Sequence, residues 1–473
     1  MPKFNVVGIR VGLLSAVIIS LAVLAGGSTF FSDALANVRA APSSSASTAS
    51  WSGAISVQNN GASPANVVVN FYSTTGVQVK SHALSTPIPP KGSVTIDTAS
   101  IPDLPREFVG SAVVSSSEPV TAAFVGFDAT NPDVDRTIYT GFADGSPSVF
   151  VPAISNSYAD QTSTLAVQNL EGGPVSVSIR YYERFTGALS ATVNDNIPSN
   201  SSHYYDSSNL PGGLQLPPPW SGSALAQASG RIVAAVHQPY LSSNKAVSFE
   251  GQVSVGTTVF LPTAMYLYAG QRQTTHIAVQ NTQATRVSIE IAFYDRSGNK
   301  VGGLAGDIEG FRKSSWNPGS VGIASGYIGS AVVKASSPVA VVVNIGSETD
   351  LAMAFDGVPS GYPKSSLPYI RWSPQNDAKG WRTYIAVMNT DPTSTADAVI
   401  RYYDPNGALV NTTAINGIAP NTKGNHNPGL FVGEGGTFVG TVEIEANRPV
   451  ATLVNAITVD GTSSASYTGV PIQ

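Results

Sequence analysis

Apolar and polar residues alternate in short runs along most of the chain. VSVSI (175–179) and VSIEIAF (287–293) place an apolar residue at nearly every second position, the period of a strand with one buried and one solvated face. Runs such as AVVV (340–343) are apolar without alternation, which fits strands covered on both faces. Gly, Pro, Asn or Ser bounds most runs, and no segment beyond residue 36 carries a convincing helical period. The pattern predicts an all-β chain.

The same string of signals occurs four times. Ile55-Ser-Val-Gln-Asn59 recurs as Leu165-Ala-Val-Gln-Asn169, Ile277-Ala-Val-Gln-Asn281 and Ile385-Ala-Val-Met-Asn389, with the Asn residues 110, 112 and 108 positions apart. Next comes a run ending in two aromatics: Phe71-Tyr72, Tyr181-Tyr182, Phe293-Tyr294 and Tyr402-Tyr403. A turn glycine follows each pair, at Gly76, Gly187, Gly298 and Gly407, as expected of hairpins. Then come Gly110-Ser-Ala, Gly222-Ser-Ala, Gly329-Ser-Ala and Gly440-Thr-Val, and a short turn into a second apolar run beginning at Val120, Ile232, Val339 and Val450. A closing aromatic ends each unit, at Tyr139, Phe249, Phe355 and Tyr467.

A period near 110 residues is the size of an independent domain, whereas solenoid repeats are 20 to 50 residues long. The expected division is an N-terminal segment at 1–36 and β-sandwich repeats at 37–145, 146–255, 256–361 and 362–473. Seven or eight short strands per unit suggest four tandem immunoglobulin-like antiparallel sandwiches, with up-and-down barrels as the other candidate. The steps Tyr139 to Pro152, Phe249 to Pro262 and Phe355 to Pro368 are each 13 residues. Constant connectors imply equivalent junctions and predict a semi-rigid rod. Pro42 to Val57 and Pro152 to Val167 both span 15 residues, which suggests Val38 to Pro42 as the strand entering the first unit.

The N-terminus has the form of an export signal. Lys3 and Arg10 precede an uncharged run from Val11 to Ser32, and Ala34-Leu35-Ala36 follows as a cleavage site. A retained membrane anchor is the alternative reading. Export to the cell surface or beyond is expected either way, with any membrane contact made through this segment alone.

Composition narrows the chemistry. There is no Cys, so disulfides and Cys-ligated metals are excluded. Charged residues make up 12% and the net charge is −5, with no basic block to neutralise phosphates, so nucleic acid is not an expected partner. The five histidines, His82, His203, His237, His276 and His426, show no ligand spacing, and no catalytic motif is present. No enzyme activity, no catalytic residues and no cofactor are therefore expected. Asp128, Asn131, Asp133 and Asp135 group four oxygen-bearing side chains that could hold calcium or form an ordinary acidic turn. Trp220, Trp372 and Trp381 could stack on sugars, or cap the sandwich ends or pack against the neighbouring domain, and Asn200 and Asn411 begin glycosylation triplets. Asn59, Asn169 and Asn281 each end a strand and are expected to bond nearby backbone.

The succession of VQN, FY before a Gly turn, GSAVV and PVAAVV-type strands resembles the tandem repeat units of secreted and surface-displayed bacterial proteins. The resemblance covers essentially all of the chain after residue 36, and implies an extracellular structural or adhesive role. The expected function is a structural component of a cell-surface layer, sheath or fibre, self-associating or bound to other envelope components. An adhesin or glycan-binding surface protein is the alternative.

Overall fold

In the computed structural model of the chain, the described residues are 16–21, 51–128, 136–243, 245–348 and 351–472. The fold is nearly all β, with every strand pair antiparallel. The second repeat shows the plan. Its strands are Ser146–Asn156 (entering), Thr164–Asn169, Val175–Glu183, Leu189–Ile197, Ser202–Asp206, Trp220–Pro239 and Ala246–Glu250 (closing).

The 20-residue strand Trp220–Pro239 belongs to two layers. Its first half pairs with the entering strand and with Val175–Glu183, and its second half with Thr164–Asn169 and the closing strand. Residues on both halves are buried, while the positions around Gln227–Arg231 are more exposed and mark the corner. Tyr327–Gly346 and Phe438–Thr458 turn the same corner in the third and fourth repeats. The short turn expected before the second apolar run is therefore a bend within one strand there. In the first repeat the path is split into Gly110–Ser116 and Val120–Asp128, on either side of Pro119. Pro338 lies at the corner between Ala335, which stands opposite Ile289, and Val339, which stands opposite Asn281. Its missing N–H thus costs no ladder bond.

Each repeat is a sandwich of two layers, but the strand order is not that of an immunoglobulin domain. There the first two strands share a sheet with the fourth and fifth. Here the first half of the long strand is flanked by the entering strand on one side and by Val175–Glu183 on the other, and the second strand is in the opposite layer.

The repeats do not run out in a line. Lys91 of the first repeat forms an ion pair with Glu443 of the fourth at 2.7 Å, the Ser93 amide donates to the Pro405 carbonyl at 3.0 Å, and Ser56 Oγ donates to the Pro368 carbonyl at 2.8 Å. The chain closes into a ring, which corrects the expected rod. Its four main cores interlock. Ala235 of the second repeat joins the core of the first, and Val342, Ala352 and Ala354 of the third join that of the second. Ala386 and Leu453 of the fourth join that of the third, and Ala123, Val125 and Ile138 of the first complete that of the fourth.

Two expectations fall elsewhere. Val38–Pro42 lies outside the described residues. The strand that pairs with Gly110–Ser116, in the place of an entering strand, is Ala16–Leu21 from the apolar N-terminal run. Among the described residues no helix is long and apolar enough to cross a membrane.

Candidate functional site: the junctions between repeats

The motifs that recur in sequence are the ones that hold the ring. Ser111 Oγ donates to the Asn200 carbonyl (2.5 Å), Ser223 Oγ to Phe311 (2.8 Å), Ser330 Oγ to Asn421 (2.5 Å) and Thr441 Oγ1 to Lys91 (3.3 Å). Each bond links one repeat to the next, and the fourth returns to the first. All four acceptor residues have positive φ, 57°, 58°, 62° and 64° respectively. That backbone is unfavourable for non-glycine residues. Its recurrence at one junction position shows a turn held in place by its surroundings.

The glycine before each hydroxyl has a separate reason. A Cβ at Gly110, Gly222, Gly329 or Gly440 would run into the carbonyl oxygen of Tyr72, Tyr182, Tyr294 or Tyr403 and the ring of Phe108, Trp220, Tyr327 or Phe438. The turn glycines also point across the junctions: Gly76 faces Pro198, Gly187 Arg312, Gly298 Ala419 and Gly407 Pro90.

The adjacent aromatics divide as a strand requires, one to each face. Phe71, Tyr181, Phe293 and Tyr402 are fully buried in the cores. Tyr182, the second of its pair, packs on Phe311 of the next repeat with ring centroids 5.2 Å apart. The terminal Asn of each VQN-type strand behaves as expected. Asn169 Nδ2 donates to the carbonyls of Gly173, Ile197 and Pro198, and its Oδ1 accepts from the Glu171 amide. Asn59, Asn281 and Asn389 repeat this scheme.

Where the four repeats meet, the closing strands Arg136–Thr140, Ala246–Glu250, Ala352–Asp356 and Ser464–Thr468 pack against one another in cyclic order. They end in Thr140, Glu250, Asp356 and Thr468. The Thr140 amide and hydroxyl both donate to Glu250 Oε1, at 2.5 and 2.6 Å, and the Glu250 amide donates to Asp356 Oδ2 at 2.9 Å. Burial, reinforced by the Glu250 carboxylate, raises the Asp356 carboxyl well above the usual range. Gln252 adds a reciprocal pair with the Val341 backbone, donating to its carbonyl and accepting from its amide at 3.0 Å. Donors from the first and second repeats converge on carboxyls of the second and third, so this pair fastens three repeats together.

Two lysines lie buried at the junctions. Lys423 Nζ donates to Thr263 Oγ1 of the third repeat at 2.6 Å, and burial lowers its ammonium to about 7. Lys313 occupies the equivalent strand start and is also lowered to about 7, by burial and then by Arg184 of the second repeat. No sequence motif signalled either residue, because both are read as ordinary surface lysines until the neighbouring repeat is placed.

The other candidates do not gather at one place. Asn131, Asp133 and Asp135 lie outside the described residues, as does the side chain of Asp128. Trp220, Trp372 and Trp381 are each only 3% exposed. Trp220 Nε1 donates to Ser190 Oγ and its ring meets Tyr181 edge-on, while Trp372 Nε1 donates to the Gly433 carbonyl beneath the Arg382 guanidinium. These rings cap cores and are not open for sugars to stack upon. His203 bridges Asp195 (2.7 Å) to the Thr74 carbonyl across the first junction (2.9 Å), and His426 meets the Tyr402 hydroxyl at 2.6 Å. Asn200 sits within the first junction, whereas Asn411 lies on the outer strand Leu409–Ile418.

No family model and no curated protein matches the chain. Among solved structures, Thermotoga maritima 1070 is similar over 23% of this chain and 96% of its own, at 13% identity and a TM-score of 0.20. A serine-rich repeat protein, Srr2, of Streptococcus agalactiae is similar over 50% of this chain and 84% of its own, at 9% identity and 0.14. The β-glucuronidase of Bacteroides uniformis covers 46% of this chain with 25% of its own, at 10% identity and 0.12. None reaches the similarity at which a shared fold follows.

Proposed function

We propose that the chain is an exported, non-enzymatic structural component of a cell-surface layer, sheath or fibre, and that its building block is a closed ring of four β-sandwich domains. One observation carries this reading: the residue patterns that recur in all four repeats are engaged in a core, in a turn of their own repeat or in a junction. Recurrence elsewhere would point to a repeated binding site. Here it accounts for a rigid block whose exposed positions are left to vary. Low charge and a surface rich in Ser, Thr and Asn suit packing among copies or with other envelope components.

Electron microscopy of the cell envelope with antibody labelling tests this. A lattice, sheath or filament that carries the label supports the reading. Label spread through the cell interior refutes it.

A further inference from the structure

The first repeat differs from the others in where its entering strand comes from. In repeats two to four that strand follows directly from the previous closing strand, as Ser146–Asn156, Gly256–Tyr266 and Tyr362–Trp372. In the first repeat its place beside Gly110–Ser116 is taken by Ala16–Leu21, antiparallel, with Val17 opposite Val114 and Ile19 opposite Ala112.

The registers coincide. Val149 and Val151 stand opposite Ala226 and Ala224, Val259 and Leu261 opposite Val333 and Ala331, and Ser365 and Leu367 opposite Ile444 and Val442. These six side chains are at most 2% exposed, and Ala112 and Val114 are fully buried. Val17 and Ile19 therefore hold register positions that the other repeats fill with small or aliphatic core residues. The other candidate occupant fits poorly. Aligning Pro42 with Pro152 would set Arg39 where the second repeat buries Val149, and an unpaired charge is strongly disfavoured there.

We infer that Gly110–Ser116 is a strand-accepting edge whose occupant is Ala16–Leu21 of the same chain, so that the apolar N-terminal segment is also a structural strand of the first repeat. An edge of this kind offers a row of backbone donors and acceptors, and alternate side-chain positions select what binds. A chain lacking residues 1–36 leaves this edge open and accepts the same segment added in trans.

Hydrogen exchange of the full chain tests this at residues 110–116, with the equivalent edge at 222–228 as internal reference. Ile19→Asp should speed exchange at 110–116 at least tenfold and leave 222–228 unchanged, whereas Ile18→Asp, one register position away, should have a smaller effect. Should Ile19→Asp not fold, Ile19→Ser takes its place. A peptide of residues 14–23 with a lysine tail should restore protection to the variant but leave the wild-type chain unchanged. Equal exchange at 110–116 in wild type and variant, or a peptide without effect, overturns the inference. The proposal of an exported surface component fails separately. Exported protein that begins at Asn37 and still protects 110–116 overturns the strand assignment and leaves export standing. An intact chain confined to the cell interior refutes export, and the exchange result still decides the strand.

Discussion

Replacing Ser330 by Ala tests whether the four repeats behave as one body. The hydroxyl is fully buried and donates to the Asn421 carbonyl across the third junction at 2.5 Å. Its loss leaves that carbonyl without the donor, at a cost of about 1.5 kcal/mol. How this appears on heating depends on what melts together. Unfolding entropy is about 2.1 cal/mol/K per residue, so a ring of about 420 residues loses only about 2 °C in Tm for this change. A repeat melting alone, with about 110 residues, would lose about 6 °C. Differential scanning calorimetry of wild type and variant distinguishes the two, and the interlocked cores lead us to expect a single transition displaced by about 2 °C. Separate transitions, with one or two displaced by about 6 °C and the rest fixed, would refute the ring as a cooperative unit.

Further outcomes follow from single side chains. Asn169→Ala removes four hydrogen bonds at a buried position and should cost about 3 kcal/mol, read from urea midpoints. Gly329→Ala drives a methyl group into the Tyr294 carbonyl and the Tyr327 ring, so it should destabilise more than Ser330→Ala in the same urea titration. Lys423 and Lys313 are lowered to about 7, while an unfolded lysine holds its proton to about 10. The unfolded chain thus binds more protons between these values, and stability should rise as pH goes from about 7 to about 10. Lys423→Met should remove roughly half of that rise, the part due to Lys313 remaining, as urea midpoints at both ends of the range would show. Burial lowers His237 to about 4, so the neutral ring is the folded form, and stability should fall as pH drops from about 6.5 to about 4. His237→Gln should flatten that segment of the same titration.

Much of each repeat is legible in the sequence. Alternation in VSVSI and VSIEIAF gave strands with one buried face, and the position of Asn169 at a strand end gave its backbone bonds, because both are local consequences of sequence. The constant 13-residue connectors correctly implied equivalent junctions. They left the angle between neighbours undetermined. A straight step repeated four times makes a rod and a quarter turn makes a ring, and the residues that decide, such as Lys91 and Glu443, are 352 positions apart. The strand order was equally hidden, since short apolar runs carry no label for the layer they enter. Gly110-Ser111 and its counterparts read as strand starts, and their cross-repeat hydroxyl bonds appear only once the neighbour's positive-φ turn is in place. The buried lysines escaped for the same reason.

The ion pair and backbone bonds that join the fourth repeat to the first have a consequence at high dilution. A ring assembled from four separate polypeptides would dissociate as its components were diluted, because every contact would depend on meeting a partner. Here the last contact is made between two parts of one molecule already tethered within reach, and its strength is set by geometry at any dilution. The number of repeats in the ring is likewise written into the gene. Because the four positions are encoded separately, evolution can alter one face, as it has with Lys91, Asn200, Phe311 and Asn421 at a single equivalent turn, without imposing the change on the other three.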